Sequence, residues 1–212
     1  VTGGAPYSVA LNTFTKTGYD FTGWKTSGAV DYAPGAGYAT TANLALIAQW
    51  AAKTIAISYN VNGGSGSAPA SANWTFNAST PATLDAGTGL TKTGYAFGGW
   101  AASASATTGA FTGTPSSSLT YYAVWTPVSY TVTYAAGTNG AGTVPTESGK
   151  TLASTFTLAA GTGLARPDES GVSFSFAYWN DGTSNYAAGA TYRMPSNNVT
   201  LTAQWVAIYN VT

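Results

Sequence analysis

Two adjacent carboxylates, Asp168 and Glu169, are the residues of this sequence whose types could support acid–base chemistry. Hydrolysis of a glycosidic bond needs two carboxylates that face one cleft, whereas neighbours in an extended chain point to opposite sides. The surrounding stretch 166–171, Arg-Pro-Asp-Glu-Ser-Gly, is instead typical of a turn. The chain also lacks histidine and cysteine, which excludes thiol nucleophiles, the usual zinc ligand sets and the commonest general base. We therefore predict no catalytic residue, no cofactor, no metal site and no enzymatic activity.

Aromatic side chains are the second group that could act on a ligand, through stacking. Trp74 lies outside the pattern of the other six tryptophans, so it either stacks on a ligand or forms the inward face of an extra strand together with Phe76. Tyrosines could also make the surface adhesive, although tyrosine is an ordinary strand residue. These tyrosines are Tyr7, Tyr32, Tyr38, Tyr122, Tyr186 and Tyr192.

The composition limits the partners of this 212-residue chain. Its apolar content of 44% is sufficient for buried cores, but only 7% of the residues are charged, against roughly 25% in typical soluble domains. Seven basic and seven acidic residues leave no net charge, so nucleic acid is not an expected partner. No apolar run reaches the roughly 18 residues of a membrane helix, so no membrane insertion is expected. The charge-poor surface, rich in threonine, glycine and alanine, favours an exported protein.

Internal repetition is the main signal of the sequence. Gly-Tyr-x-Phe-x-Gly-Trp occurs at 18–24 and 94–100, with a looser copy at 171–179, and each copy is followed by a second apolar stretch that ends in tryptophan. The first tryptophans are spaced 76 and 79 residues apart, and the second ones 75 and 80. The predicted core anchors are the first set, Trp24, Trp100 and Trp179, and the second set, Trp50, Trp125 and Trp205.

The elements that position these rings are predicted to be strands. Alternating β-branched and aromatic runs at 55–64 and 130–137 open the complete units and end in glycine, and no helical period is present. Lys16, Lys92 and Arg166 precede equivalent strands and are interpreted as a solvated strand entrance. We predict a mainly β chain of three small modules in an elongated array, with boundaries at 1–50, 51–126, 127–205 and a C-terminal strand at 206–212.

The three linked motifs resemble the Listeria–Bacteroides repeat, the B-repeat of internalin-type bacterial surface proteins. The match is weaker in the third unit, where Val172 replaces the tyrosine and Ala177-Tyr178 replaces the glycine before Trp179. The resemblance implies a compact β-grasp-like module, strung in tandem in secreted or wall-attached proteins as a spacer, adhesin element or interaction module. It brings no catalytic residues with it.

The two ends of the sequence complement each other. The first unit enters at its glycine-rich turn without an opening strand, whereas residues 206–212 read as the first half of such a strand. We predict that this tail pairs with the first unit of another subunit, giving a head-to-tail filament. The expected contact residues are Val206, Ile208, Tyr209 and Val211 of the tail, and Val1, Val9 and Leu11 of the first unit. The alternative is that 1–212 is a block or cut piece of a longer polypeptide.

The expected function is therefore that of a structural or adhesive extracellular protein at the bacterial surface. The alternative is a surface adhesin module that binds a host glycan or protein, with Trp74 as its stacking residue.

Overall fold

The computed structural model describes residues 7–39 and 43–209, and within these residues the chain forms β-strands and no helix. The predicted mainly β fold is confirmed, while the more specific β-grasp assignment stays a prediction. The described residues accordingly include no helix that is long and apolar enough to cross a membrane.

In each repeat a long strand of the Gly-Tyr motif is followed by a long closing strand, with short strands between the long ones. The first repeat contains β1 (Tyr7–Ser8), β2 (Tyr19–Lys25), β3 (Asp31–Tyr32), β4 (Gly37–Tyr38) and β5 (Ile47–Ala52). The second contains β6 (Thr54–Asn60), β7 (Ala72–Thr75), β8 (Ala82–Thr83), β9 (Tyr95–Ala101), β10 (Thr112–Gly113) and β11 (Leu119–Pro127). The third contains β12 (Ser129–Tyr130), β13 (Val132–Ala135), β14 (Ala141–Gly142), β15 (Lys150–Thr151), β16 (Thr155–Thr157), β17 (Leu164–Ala165), β18 (Ser173–Asn180), β19 (Asn185–Tyr186), β20 (Thr191–Arg193) and β21 (Val199–Ile208).

A four-stranded mixed sheet with one parallel pair organises each of the second and third repeats. Its strand order is β7-β6-β11-β9 in the second repeat and β13-β21-β18-β19 in the third. The opening strand runs parallel to the closing strand, with Ile57 opposite Leu119 in one repeat and Val132 opposite Val199 in the other. The opening strand is therefore inserted beside the last strand of its own repeat.

The first repeat differs at this point. Its sheet has the order β3-β2-β5 in the described residues, so the closing strand β5 lies at an edge. The β2–β5 pairing otherwise matches the β18–β21 pairing, including a bulge between Phe21 and Gly23 that recurs between Phe176 and Tyr178.

Each complete repeat has a hydrophobic core of its own. In the second repeat Ile57, Trp100 and Tyr121 belong to one buried cluster, and in the third Trp179 and Leu201 belong to another. Alternation explains the opening strands, since Ile55 and Ile57 are buried and the residues between them exposed. In the described part of the first repeat, Val9 and Trp24 are the only large apolar side chains that are buried.

The chain separates into two compact units. One combines residues 1–91 with Phe97–Trp125, and the other combines Lys92–Ala96 with Thr126–Thr212. The predicted boundaries after residues 50, 126 and 205 all fall inside a closing strand, namely β5, β11 and β21. Residues 206–208 thus continue the last strand of the third repeat.

Candidate functional site: strand edges and junctions of the repeats

The first tryptophan of each repeat lies in its core. Trp24, Trp100 and Trp179 are buried, and each indole N–H donates to a backbone carbonyl 14 to 20 residues earlier in the chain. The acceptors are Ala10 at 3.0 Å, Asp85 at 2.6 Å and Ala159 at 2.8 Å. The structure therefore places these three predicted anchors inside separate repeats.

The second tryptophan of each repeat is only half-buried and spans two strands. Trp125 donates to the carbonyl of Val61 at 3.0 Å, and Trp205 to that of Ala136 at 2.9 Å, so each indole bonds the end of its own opening strand. No corresponding hydrogen bond of Trp50 occurs within residues 7–39 and 43–209. Trp125 and Trp205 thus tie the opening strand to the closing strand while packing against the core cluster of their own repeat.

A phenylalanine joins the two tryptophans of each repeat. The Phe97 ring centroid lies 5.2 Å from that of Trp100 and 5.7 Å from that of Trp125, in edge-on geometry that favours aromatic attraction. Phe21 and Phe176 make the same pair of contacts in the first and third repeats. The sequence reasoning did not single out this residue as a ring between the two indoles, although its recurrence in the motif could have indicated it.

Glycines after the opening strand lie directly on the second tryptophan. A Cβ atom on Gly64 would overlap the Trp125 indole, and one on Gly140 would overlap the carbonyl of Ala136 and come within 3.0 Å of Trp205 Cζ2. The glycine-rich turn is therefore required by a close backbone approach, since any side chain would displace the ring.

Apolar side chains in and beside β5 are less buried than their equivalents in β21. Leu46 and Ala48 of the first repeat are half-buried, whereas the residues at the equivalent positions of the third repeat, Leu201 and Ala203, are fully buried. Ile47 is 57% exposed. A cavity of about 340 Å³, lined by Phe14, Lys16, Phe21 and Trp50 among others, lies beside this strand. Among the described residues, the first repeat thus presents an unpaired edge of β5, with a cavity nearby whose wall combines aromatic rings with polar and charged side chains.

The predicted contact residues are distributed between buried and exposed positions. Val9 is buried and Leu11 is 72% exposed. Val206 and Ile208 belong to β21 and pair with Ser175 and Ser173 of β18, yet both stay about half exposed. Tyr209 is exposed. Val1 and Val211 lie outside the described residues.

Trp74 is half-buried on the edge strand β7, opposite Ile55. Its ring lies 5.7 Å from that of Phe76 and packs against the core cluster of the second repeat. The packing matches the interpretation of Trp74 as part of an extra strand, and its use in ligand stacking stays a prediction.

A repeated contact connects the Gly-Tyr hairpin of one repeat to the start of the next. Lys53 N–H donates to the carbonyl of Gly18 at 2.9 Å, and the Phe76 ring covers Gly18 so closely that a Cβ atom there would overlap it. Phe76 also packs edge-on against Tyr19, with 5.4 Å between ring centroids. The Gly18 turn and Phe76 therefore form one packed junction.

The second compact unit contains the same junction at Gly94. Val128 N–H donates to the Gly94 carbonyl at 2.9 Å, and a Cβ atom on Gly94 would lie 2.5 Å from Leu152 Cδ2. Leu152 follows β15 as Phe76 follows β7. The sequence reasoning missed both partners, because they are distant in sequence and differ in type.

The three recurring cations lie on aromatic rings. Lys16 Nζ is 4.1 Å from the Tyr19 ring centroid, Lys92 Nζ is 4.9 Å from that of Tyr95, and Arg166 lies 3.7 Å from that of Phe174. The predicted strand entrance is thus also a cation–π contact, which is worth about 0.5–1 kcal/mol at exposed sites.

Glu169, one of the two adjacent carboxylates, closes a turn. Glu169 forms a bridge with Val172 across this turn, accepts from Arg166 Nη2 at 2.8 Å and is hydrogen-bonded to Asn139. The hydrogen bonds from Asn139 and Arg166 lower the pKa of Glu169. These contacts give the carboxylate a structural role.

Asp181 is the acidic residue with the most hydrogen bonds among the described residues. Its Oδ1 accepts from the backbone N–H groups of Thr183 and Ser184 at 2.9 and 2.8 Å, and its Oδ2 accepts from the hydroxyl groups of Tyr186 and Tyr192 at 3.2 and 3.0 Å. Burial opposes ionisation, but these donors outweigh it and lower the pKa of Asp181 to about 2. Burial and the hydrogen bond to Asp181 raise the pKa of Tyr192.

The contribution of Asp181 to stability is expected to be lost as the pH falls towards 2. Because the pKa drops from 3.8 in the unfolded chain to about 2 in the folded one, the contribution is complete above about pH 4 and disappears through about pH 2. Because the side chain is partly exposed, screening by solvent reduces this contribution to about 1 kcal/mol. Urea unfolding at pH 5 and pH 2 should show a smaller pH effect in Asp181→Asn than in the wild type. A pH effect that is unchanged in Asp181→Asn, with Asp168→Asn as the control, would contradict this assignment.

The fold and its contacts define a chain built of small β-sheets that recur in tandem. The sequence matches the Listeria-Bacteroides repeat domain over residues 1–49, 56–124 and 130–204, and the chain belongs to this family. These ranges lie within the three predicted repeats, so the resemblance is confirmed. Tandem repeats of this family are typical of bacterial surface proteins. Neither a curated protein nor a solved structure shows significant similarity to the chain.

Proposed function

We propose that this chain is a non-catalytic structural segment of an extracellular or surface-attached bacterial fibre, and that its first repeat accepts a β-strand from a second copy. The observation that carries the proposal is the edge of β5, which no described strand covers, whereas its counterparts β11 and β21 are each covered by a parallel opening strand. An uncovered edge offers unpaired backbone groups to an added strand.

The distribution of exposed apolar side chains supports the same pairing. Of the eleven large hydrophobic residues that are exposed in the described chain, eight lie in the first repeat or in residues 206–209. They are Tyr7, Leu11, Phe14, Val30, Ile47, Val206, Ile208 and Tyr209. Covering those other than Tyr7 in a head-to-tail contact would remove apolar area from water, which favours association by roughly 25 cal/mol per Å².

The junction contacts support a spacer role within each chain. Gly18 with Phe76, and Gly94 with Leu152, hold a hairpin against the beginning of the next repeat in the same way. A contact that recurs at each junction suits a chain whose task is to set distance. The low share of charged residues, 7%, also suits a surface whose interactions change little with salt concentration.

Removal of the residues after Ile208 is expected to abolish self-association. The deletion begins at Tyr209 because residues 206–208 pair with β18, and a longer deletion would damage the third repeat. In light scattering over a range of concentrations, the wild type should show species larger than a monomer and the 1–208 variant only monomers. The acceptor variant Ile47→Lys should behave as the deletion does, since Ile47 is exposed on β5.

Two controls make this test decisive. Val144→Lys changes another exposed apolar residue, outside both proposed surfaces, and should leave association unchanged. A wild-type chain that is monomeric at all concentrations, or a 1–208 variant that associates as the wild type does, would overturn the proposal. In the second case association would not use the residues after Ile208.

A further inference from the structure

The first repeat carries a row of three tyrosine rings, here called the tyrosine row. Tyr7 and Tyr38 are stacked, with centroids 5.6 Å apart and an angle of 30° between the ring planes. Tyr32 lies 6.2 Å from Tyr38 in edge-on geometry. Tyr7 is 57% exposed, and the other two rings are half-buried. The row therefore offers aromatic surface to the solvent.

A pocket of about 250 Å³ lies at the Tyr32 end of the row. Its wall includes Trp24, Asp31 and Gln49 together with the bulge residue Gly23. The Gln49 side chain donates one N–H to the carbonyl of Ile47 at 3.0 Å, which leaves its own carbonyl oxygen and its second N–H available. The pocket thus combines an aromatic wall with a carboxylate and an amide.

The corresponding position is occupied in the other two repeats. In the third repeat Tyr178 stands where the first has Gly23, and it faces Gln204 as Gly23 faces Gln49. In the second repeat Gly99 is closed off by the backbone of Ala110, which a Cβ atom would meet at 3.0 Å. The pocket beside Gly23 is therefore specific to the first repeat among these three positions.

The tyrosines also differ between the first and third repeats. Tyr186 and Tyr192 match Tyr32 and Tyr38 in spacing, but in the third repeat both hydroxyl groups donate to Asp181. The first repeat has Thr26 at the position of Asp181, and its hydroxyl accepts from the N–H of Val30 instead. Within the described residues, the hydroxyl groups of the tyrosine row form no hydrogen bond with the protein, so they are available to a ligand.

We infer that the tyrosine row and the pocket beside Tyr32 form a binding site for a neutral saccharide. Aromatic faces pack against the apolar C–H faces of a sugar ring, while phenol, amide and carboxylate groups bind its hydroxyls. Asp31 lies 3.4 Å from Lys25 Nζ, so the site has balanced charge and offers no attraction to a polyanion. A proline-rich peptide would also stack on aromatic rings, but it does not use the carboxylate and amide of the pocket.

The test is titration of the full chain with cellohexaose, chitohexaose and maltohexaose, followed by calorimetry and by tryptophan fluorescence, with decaproline as a peptide probe. At least one hexasaccharide should bind, and Tyr32→Ala and Gln49→Ala should each weaken its binding about tenfold. Gln204→Ala, the matched change in the third repeat, should leave binding unchanged. Since Gln49 is at a half-buried edge position, this variant keeps the test valid even if Tyr32→Ala perturbs folding.

Three results would overturn the inference. These are a failure of all three hexasaccharides to bind, binding that persists in both first-repeat variants, and binding of decaproline in preference to every saccharide. None of these results depends on self-association, because the 1–208 variant retains the site and can be titrated in the same way.

Discussion

Replacing Trp179 with alanine is expected to lower the free energy of unfolding of the third repeat by about 3–5 kcal/mol, as for other buried tryptophans. Trp179 is fully buried, lies 4.7 Å from Tyr134 and 4.9 Å from Phe176 between ring centroids, and donates to the carbonyl of Ala159. The substitution removes these contacts and leaves a cavity in the core.

The loss should be measured by urea unfolding and by hydrogen exchange resolved along the chain, because different repeats need not unfold together. Exchange should accelerate chiefly in residues 127–208. The control is Trp205→Ala in the same repeat, which removes a half-buried ring and should cost less. An equal or greater loss in Trp205→Ala would contradict the assignment of Trp179 as the central core residue.

The second large effect is expected at the repeat junctions. Gly18→Ala and Gly94→Ala should each destabilise the protein by about 1–2 kcal/mol through their positive φ of 77° and 80°. A further loss of about 1–3 kcal/mol should arise because the new methyl group displaces Phe76 or Leu152. Urea unfolding gives the total for each variant.

Gly171→Ala separates the two causes. Gly171 occupies the same position in the hairpin turn of the third repeat and has a φ of 81°, but a Cβ atom there would meet no atom within 4 Å. Its substitution should therefore show only the backbone cost. If all three variants lose the same stability, the packing of Phe76 and Leu152 on the hairpins does not contribute, and the spacer role loses its structural support.

Self-association and saccharide binding would use adjoining parts of the first repeat, since Gln49 of the saccharide site lies on β5. The proposed strand acceptor is the edge of β5 with Ile47, whereas the proposed saccharide site is built on Tyr32, Tyr38 and Gly23. A single repeat could then join the fibre and present an adhesive surface. Ile47→Lys and Tyr32→Ala would separate the two activities.

Much of the fold could be predicted from local pattern. Alternation in 55–61 and 130–135 predicts strands because successive side chains of an extended chain point to opposite faces. The recurrence of tryptophan every 75 to 80 residues predicts one structural unit per period, because each unit needs a core ring of its own. The turn at Arg166–Gly171 follows from its proline and glycine.

The depth of burial could not be predicted in the same way. Trp100 and Trp125 have the same residue type and recur with the same period, yet one is buried and the other half-buried. Alternation indicates which face a side chain occupies, whereas its exposure depends on what lies over that face. The Gly64 turn and the end of the opening strand, which decide this for Trp125, come from about 60 residues earlier in the chain.

The sequence by itself determined the repeat family, the β class and the identity of the ring-bearing positions, because these depend on residue types at fixed spacing. Only the tertiary structure decided which edge is open, which glycines face another repeat and which pocket lacks a side chain to fill it. The parallel partner of β11 and the cover over Gly18 are long-range neighbours. Gly23 leaves a pocket open beside Gln49, whereas Tyr178 fills the equivalent position beside Gln204, and both effects depend on the strand pairing.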